Sequence, residues 1–218
     1  QPSNFKDQEV LDQIRSHGAD LCVMAYVIIF VPEGARDIPT HGSICFHPSL
    51  LPLHRGPSSI NWPIIGGSTK TGLSIFYPND GLDEGEILLQ KEVDIAPDDT
   101  LGDVYFKKIF PLGLDACVEA ANLIESGNAP KTPQDDSKAT YESWCKKSDA
   151  RIDWKKPGNE IYNLIRGCNP QPGAWAEFMG DEYTFYDSRF IDEQSAEHFP
   201  GQIISISAEN VRIAVKGG

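Results

Sequence analysis

The stretch from residue 21 to 32, LCVMAYVIIFVP, constrains the fold most: twelve residues without a single charge. Such a run is about half the ~20 residues that a membrane-spanning helix needs. It also follows a polar helical segment, so it reads as a buried strand and not as an anchor. Upstream, Val10, Leu11 and Ile14 keep helical spacing within residues 7–17, and Gly18 stands where a helix C-terminus takes glycine. A helix feeding a continuous apolar strand is the pattern of an α/β domain. Residues 21–25 are expected to form a strand covered on both faces.

Three further strands are expected at 43–46, 73–77 and 87–93, the last two separated by the turn-rich Pro78, Asn79, Asp80, Gly81. Between the second and third lie a proline-rich irregular stretch, 48–57, and a helical turn at 60–65 closed by Gly66 and Gly67. Thr100 and Asp103 have capping-box spacing and open a long helix with Leu101, Val104, Tyr105 and Ile109 inward. Pro111 is expected to kink it before 114–124 resume the pattern, and Gly127 to end it. Residues 128–150, with Pro130, Pro133, Asp135 and Asp136, have the composition of a linker. The expected organisation is therefore a catalytic domain over 1–127, a linker over 128–150 and a second domain over 151–218. Within that second domain a helix should start at Pro157 and run past Ile165. Strands at 174–179, 183–187, 202–206 and 211–215 then suggest a small β-barrel module.

Composition narrows the partners. Nineteen Lys and Arg against thirty-two Asp and Glu give a net charge of −13, a field that opposes nucleic-acid backbones and anionic membranes. Residues 151–218 add no basic footprint, with a net charge of −3. Lys146, Lys147, Arg151, Lys155 and Lys156 are the only local basic cluster, and it reads as a solvated linker. Five cysteines with no C-x-x-C pair and no secretory signal point to a reduced, cytoplasmic setting. His17, His41, His54 and His198 read as surface or turn residues, and no metal site is expected. Trp144, Trp154 and Trp175 read as packing residues. Nothing fixes an oligomeric state.

The chemistry concentrates in Cys45, Phe46, His47, Pro48, Ser49, Leu50, Leu51, Pro52, which sets a histidine just past a predicted strand between two prolines. Ligands bind outside strand ends in open α/β sheets. His47 taken alone reads as a satisfied core histidine. The acidic loop Asn79, Asp80, Gly81, Leu82, Asp83, Glu84, Gly85 adds a carboxylate, Asp83, at the end of a neighbouring strand. A carboxylate beside an imidazole orients it and favours its charged form, as a general acid–base pair requires. Asp80 and Asp83 read alone are ordinary turn residues.

Together, His47 to Pro52, Arg55-Gly56 and Gly81 to Leu88 resemble the folate-dependent formyltransferase superfamily. Asp153-Trp154, Ile165 to Pro170 and Pro172 to Trp175 resemble the junction and start of that family's C-terminal barrel domain. His41 to Ile44, Ile60 to Trp62 and Leu89 to Glu92 look closest to the hydrolase domain of 10-formyltetrahydrofolate dehydrogenase. The resemblance implies a Rossmann-like formyltransferase domain, with the first strands of its sheet missing ahead of residue 1, followed by a small β-barrel module. It implies 10-formyltetrahydrofolate as formyl donor, and His47 and Asp83 as the catalytic pair. Tyr26, Val27, Ile28, Ile29 and Phe30 would wall the pterin pocket, with Leu51 and Asn79, Asp80, Gly81 and Leu82 closing its other side. The same apolarity would also make Val27 to Phe30 plain core. Family transferases usually carry an asparagine two residues before the histidine; here Cys45 stands there, a poor donor. That favours the hydrolase branch over transfer to methionyl-tRNA or to a sugar nucleotide, and leaves open a folate-binding protein without turnover.

Overall fold

The computed structural model describes residues 2–193 and 198–217, which form two compact units. The first takes the residues up to 59 together with 70–94 and 106–143, and the second takes 60–69, 95–105 and those from 144 on.

A four-stranded mixed sheet forms the first unit, in the order β1 (Cys22–Met24), β2 (Ser43–His47), β3 (Lys70–Phe76), β4 (Ile87–Asp94). Only β1 and β2 are parallel; β2–β3 and β3–β4 are antiparallel. Residue stretch 21–25 is not the strand covered on both faces: β1 has three residues, and Val23 is 43% exposed. That place belongs to β3, flanked by β2 and β4, where Leu73, Ser74 and Ile75 have no exposed surface. Gly72 is required there, since a Cβ would lie 2.2 Å from the Lys91 carbonyl and 2.6 Å from Leu50. A short helix at the N-terminus, α1 (Gln8–Ser16), ends at Gly18 in the left-handed region, and a one-turn helix, α2 (Glu33–Arg36), follows the apolar run.

Thr100 and Asp103 do form the expected box. The Asp103 N–H donates to Thr100 Oγ1 at 3.1 Å, and the Thr100 N–H donates to the Asp103 carboxylate at 3.0 Å. Behind it a wide π-helical turn, Asp103–Ile109, leads into α4 (Phe110–Glu125). Pro111 has no N–H to donate and its ring crowds the carbonyl four residues back. Widening the preceding turn accommodates it without breaking the helix. The wide turn also resets the inward face: Val104 and Ile109, five residues apart, are both fully buried, and Gly113, Ala116 and Ala120 continue the stripe. Gly113 lets α4 approach β2, because a Cβ there would lie 2.7 Å from the Phe46 ring.

The second unit packs α3 (Asn61–Ile65) on α5 (Gly158–Gly167). Asn61 Nδ2 donates to the carbonyls of Gly167 and Gln171 at 2.9 and 3.0 Å, and Gly167 is the close approach, its hypothetical Cβ 2.7 Å from Ile65. Ala150, Ile152, Ile161, Ile165, Cys168, Ala174 and Ala176 form its core. Its strands make two separate antiparallel pairs among the described residues, β5 (Ala174–Phe178) with β6 (Asp181–Phe185) and β7 (Ile203–Ile206) with β8 (Val211–Ile213). No closed barrel is seen among them, because neither pair hydrogen-bonds to the other. Lys147 and Arg151 lie over the Trp175 ring and Lys147 pairs with Glu182, so two of the expected solvated charges are structural contacts.

The expected linker is not one. Residues 128–143 belong to the first unit and 144–150 to the second. Thr132 bridges to Ile87 through two backbone hydrogen bonds of 2.8 and 3.0 Å, and Tyr141 bridges in parallel to Arg55. Chain polarity misleads here because the segment is held by backbone and amide hydrogen bonds, which leave no apolar periodicity.

Candidate active site

The site is built at the end of β2. Alternation along the strand places Cys45 and His47 on one face, with Ile44 and Phe46 on the other. Beyond His47 the chain enters a tight turn held from the sheet by Ser74 of β3 and Gln90 of β4, which are register partners. Ser74 Oγ donates to the Ser49 carbonyl at 2.7 Å and accepts from the Leu51 N–H at 3.1 Å and from Gln90 Nε2 at 2.9 Å. Gln90 Nε2 also donates to the Leu51 carbonyl at 2.9 Å. The buried hydroxyl is fully used, so this turn is over-determined. Leu51 itself is 3% exposed, a core residue whose contribution is the pinned backbone and not an open wall as expected.

The turn delivers the His54 carbonyl to His47, 2.8 Å from Nε2. Beside a carbonyl that nitrogen can act only as donor, so Nε2 carries a proton and Nδ1 is the atom free to exchange one. His54 is not a free surface residue: its backbone is left-handed (φ 57), its N–H donates to Thr140 Oγ1 at 2.8 Å, and its Nδ1 lies 3.1 Å from Glu142. Thr140 and Glu142 come from the segment the sequence reads as linker.

Asp83 lies opposite. Its Oδ2 is 3.6 Å from His47 Nδ1 and accepts the Gly56 N–H at 2.8 Å. The His47–Asp83 separation is too long for a direct hydrogen bond and too short to hold an atom between the two, so a small polar group reaches both only from beside the pair. His47 is nearly buried and Asp83 about four-fifths so. Gly56 (φ 91) must be glycine, since a Cβ would lie 2.6 Å from the Glu142 carbonyl. Cys45 is the third group. Burial, reinforced by the Asp83 charge, pushes its thiol up to about 12, so it is a neutral thiol at neutral pH and no nucleophile. Its Sγ makes a long hydrogen bond to the Phe46 carbonyl at 3.7 Å.

The acidic loop is shaped by its own turns. Asn79 Oδ1 accepts the Gly81 N–H at 3.0 Å, Leu82 is 53% exposed and Asp83 itself is left-handed (φ 56). Asp80 is an ion-pair partner: Arg36 Nη2 donates to its Oδ1 at 2.8 Å, while Nη1 donates to the Val31 carbonyl at 2.8 Å. Arg36 is buried, and it ties the acidic loop to the apolar run. Tyr26, Val27, Ile28 and Phe30 are neither strand nor core. They lie in an irregular segment at 56, 38, 74 and 57% exposure, with Ile29 half-buried. Large exposed apolar residues in one loop are the feature expected of a surface that something covers.

Arg55, 1% exposed, anchors the far side. Its Nε and Nη2 donate to Gln134 Oε1 at 3.1 and 2.8 Å, Nη2 also to Asp136 at 2.7 Å, and Nη1 to the Tyr141 hydroxyl. Burial opposes its charge, but the bonds to Asp136 and Tyr141 outweigh that and raise its pKa. Tyr141 in turn donates to Glu84 at 2.7 Å. Sequence reading missed His54, Arg55, Gln134, Tyr141 and Glu142. Only Arg55 had a signal, as part of the motif after Pro52. The loop's close tolerance yields a prediction: a Cβ at Gly85 would lie 1.6 Å from the Tyr77 carbonyl. Gly85→Ala should destabilise the protein by about 1–3 kcal/mol or more, read as a fall in the urea midpoint; an unchanged midpoint would show that the loop has room to yield. Among the described residues no three His, Cys, Asp or Glu side chains converge as a metal would require, and no helix is long and apolar enough to cross a membrane.

An α/β unit with a histidine and a carboxylate converging at strand ends is the class this geometry defines, and comparison with known proteins gives the family. The formyl transferase domain matches residues 1–111, and the formyl transferase C-terminal domain matches 145–218. This chain belongs to the formyl transferase family. It is 43% identical over 212 residues to mitochondrial 10-formyltetrahydrofolate dehydrogenase of Homo sapiens, covering 97% of this chain and 23% of that protein. It is 36% identical over 218 residues to methionyl-tRNA formyltransferase of Syntrophus aciditrophicus (strain SB), covering all of this chain and 69% of that protein. The chain thus spans about a fifth of the length of the dehydrogenase relatives it matches. HypX from Aquifex aeolicus, solved in complex with tetrahydrofolic acid, shares the fold at TM-score 0.76 and 18% identity, over 95% of this chain and 36% of that one. A sugar N-formyltransferase from Shewanella gives TM-score 0.71 at 22% identity, over 87% of this chain and 77% of that one.

Proposed function

We propose that this chain binds 10-formyltetrahydrofolate and takes its formyl group, with His47 and Asp83 as the reacting pair and water as the favoured acceptor. The observation that carries the reading is the 3.6 Å gap between His47 Nδ1 and Asp83 Oδ2, with Nε2 fixed on the His54 carbonyl. A water beside the pair, within hydrogen-bond reach of both groups, is oriented by the carboxylate, which draws its proton as the oxygen adds to the formyl carbon. The imidazolium form of His47 offers an Nδ1 proton to the oxyanion or to N10 as the N10–carbon bond breaks, and tetrahydrofolate and formate leave. The exposed apolar segment, Tyr26 to Phe30, would take the pterin, with Asn79 to Leu82 opposite; an aromatic ring there removes apolar surface from water. The homology to 10-formyltetrahydrofolate dehydrogenases, and the tetrahydrofolic acid bound to HypX, support a reduced folate as the ligand. Incubation with 10-formyltetrahydrofolate, following tetrahydrofolate and formate with and without amine acceptors, tests it. Folate binding without any formyl loss would select a binding protein instead.

Transfer to methionyl-tRNA is the second reading, favoured by the match of this whole chain to 69% of a methionyl-tRNA formyltransferase. The net charge of −13 opposes it.

Arg36 supplies a test of the folate site separate from the chemistry. Arg36→Leu releases the Val31 carbonyl and Asp80 together, so the apolar segment and the acidic loop lose their tie. The expected result is a weakening of tetrahydrofolate binding by about tenfold, near the ~1.5–3 kcal/mol of hydrogen bonds to a charged group, with turnover at saturation little changed. Unaltered affinity in the folded variant would remove these two segments from the folate site.

A further inference from the structure

Asp83 adopts a left-handed backbone conformation (φ 56), which aspartate takes more readily than most residues. Gln134 holds the turn in which it lies. The amide Nε2 donates to the carbonyl of Asp83 at 2.8 Å and to that of Gly85 at 2.7 Å, gripping the loop on both sides of Glu84. The amide oxygen is held in turn by Arg55 through two hydrogen bonds. Every hydrogen-bonding atom of this side chain is used, so the amide has one orientation, and no lysine, which has no acceptor, could reproduce its donors and acceptor together. Gly56, next to Arg55, supplies the N–H that fixes the Asp83 carboxylate. Arg55, Gln134 and Gly56 therefore set the backbone and the carboxylate of Asp83 from one side.

We propose that Gln134 is a positioning residue for Asp83, its side-chain amide fixing the turn that aims the carboxylate at His47. The proposal deepens the reading of His47 and Asp83 as the reacting pair and rests on it for its catalytic consequence, though not for the geometry itself. Other titratable and charged groups surround the pair, namely the neutral Cys45 thiol on β2, the His54–Glu142 pair, and Arg55 with Glu84 and Asp136. An Asp83→Asn variant therefore calibrates what Asp83 alone does to His47.

The test is titration of the His47 imidazole by NMR in the full chain, in wild type, Asp83→Asn, Gln134→Met and Gln134→Leu. Met keeps the unbranched shape of Gln and Leu does not, and both lack the donors. Asp83→Asn should move the His47 midpoint, and each folded Gln134 variant should move it at least half as far in the same direction. Formate release from 10-formyltetrahydrofolate should fall ten- to a hundredfold in kcat with KM within twofold. A side chain that merely staples the segment would lower thermal stability and leave the His47 titration where it was. A wild-type midpoint in a folded Gln134→Met or Gln134→Leu chain overturns the proposal, as does an Asp83→Asn chain that titrates like wild type. If His47 responds as expected but the wild type releases no formate, the positioning role stands and the proposed function is what fails.

Discussion

His47→Ala and Asp83→Ala should each lower formate release from 10-formyltetrahydrofolate by ~10²–10⁴-fold while leaving the dissociation constant for tetrahydrofolate within about threefold. The separation follows from where the two groups sit. Neither belongs to the exposed segment proposed to hold the pterin, and the two polar atoms, 3.6 Å apart, are close enough to act on one reacting atom beside them. His47 is the more instructive of the pair, because its Nε2 proton is already committed to the His54 carbonyl. A His47→Asn variant, whose amide can still donate a hydrogen bond but cannot exchange a proton, separates the two roles. If it keeps more than a tenth of the wild-type rate, hydrogen bonding and not proton transfer is what the histidine supplies. A double variant, His47→Ala with Asp83→Ala, should be scarcely slower than either single one, as groups that act as a unit are not additive. Full additivity would mean that the two act at separate steps.

Why these two residues were legible while their supports were not is a matter of range. His47 stands within a dense local pattern, an apolar strand followed by prolines, and Asp83 within a glycine-flexed acidic loop; each signal lies inside eight residues of sequence. The supports act across distance. Gln134 reaches Asp83 and Gly85 across about fifty residues, and Thr140 and Glu142 reach His54 across more than eighty. They do so with amide, hydroxyl and carboxylate groups that in sequence resemble solvated linker. Polar residues that carry long-range hydrogen bonds leave no periodicity, which is the signal that sequence reading depends on. The same limit explains Ser74 and Gln90, whose alternation within β3 and β4 shows only that they share a sheet. Helix boundaries fared better because their signals are local: Thr100 with Asp103, Gly18 and Gly127 stand where capping chemistry requires. The π-helical turn ahead of Pro111 is the intermediate case. Proline announced a disturbance, but whether the helix would kink or widen depended on Val104 and Ile109 both finding the core. Residues 26–30 went astray for a converse reason, since apolarity alone cannot separate core from a surface awaiting a ligand.

Cys45 makes the reaction type itself testable. It lies on the same strand face as His47, two residues away, where an amide donor would be in place to hold a formyl oxygen. Its thiol is kept neutral by burial and by Asp83, so it neither attacks nor carries charge, and a thiol donates weakly. A well-placed oxyanion donor is worth ~2–4 kcal/mol of transition-state stabilisation. Without one, the developing charge must be met by His47, and water, small enough to reach His47 and Asp83 together from beside the pair, is favoured over a bulkier amine. Cys45→Asn should therefore raise formyl transfer to an amine acceptor by about 10- to 100-fold, a fraction of that stabilisation, and raise the ratio of transfer to hydrolysis with it. Cys45→Ala should leave hydrolysis within about threefold of wild type, since it removes only a neutral, weakly bonded group. The paired variants decide between a donor site left empty and a packed strand residue. Efficient amine transfer by the wild type, unchanged in Cys45→Asn, would reject the hydrolytic preference. A loss of hydrolysis in Cys45→Ala as large as that in His47→Ala would give the thiol a role in the chemistry that its raised pKa argues against.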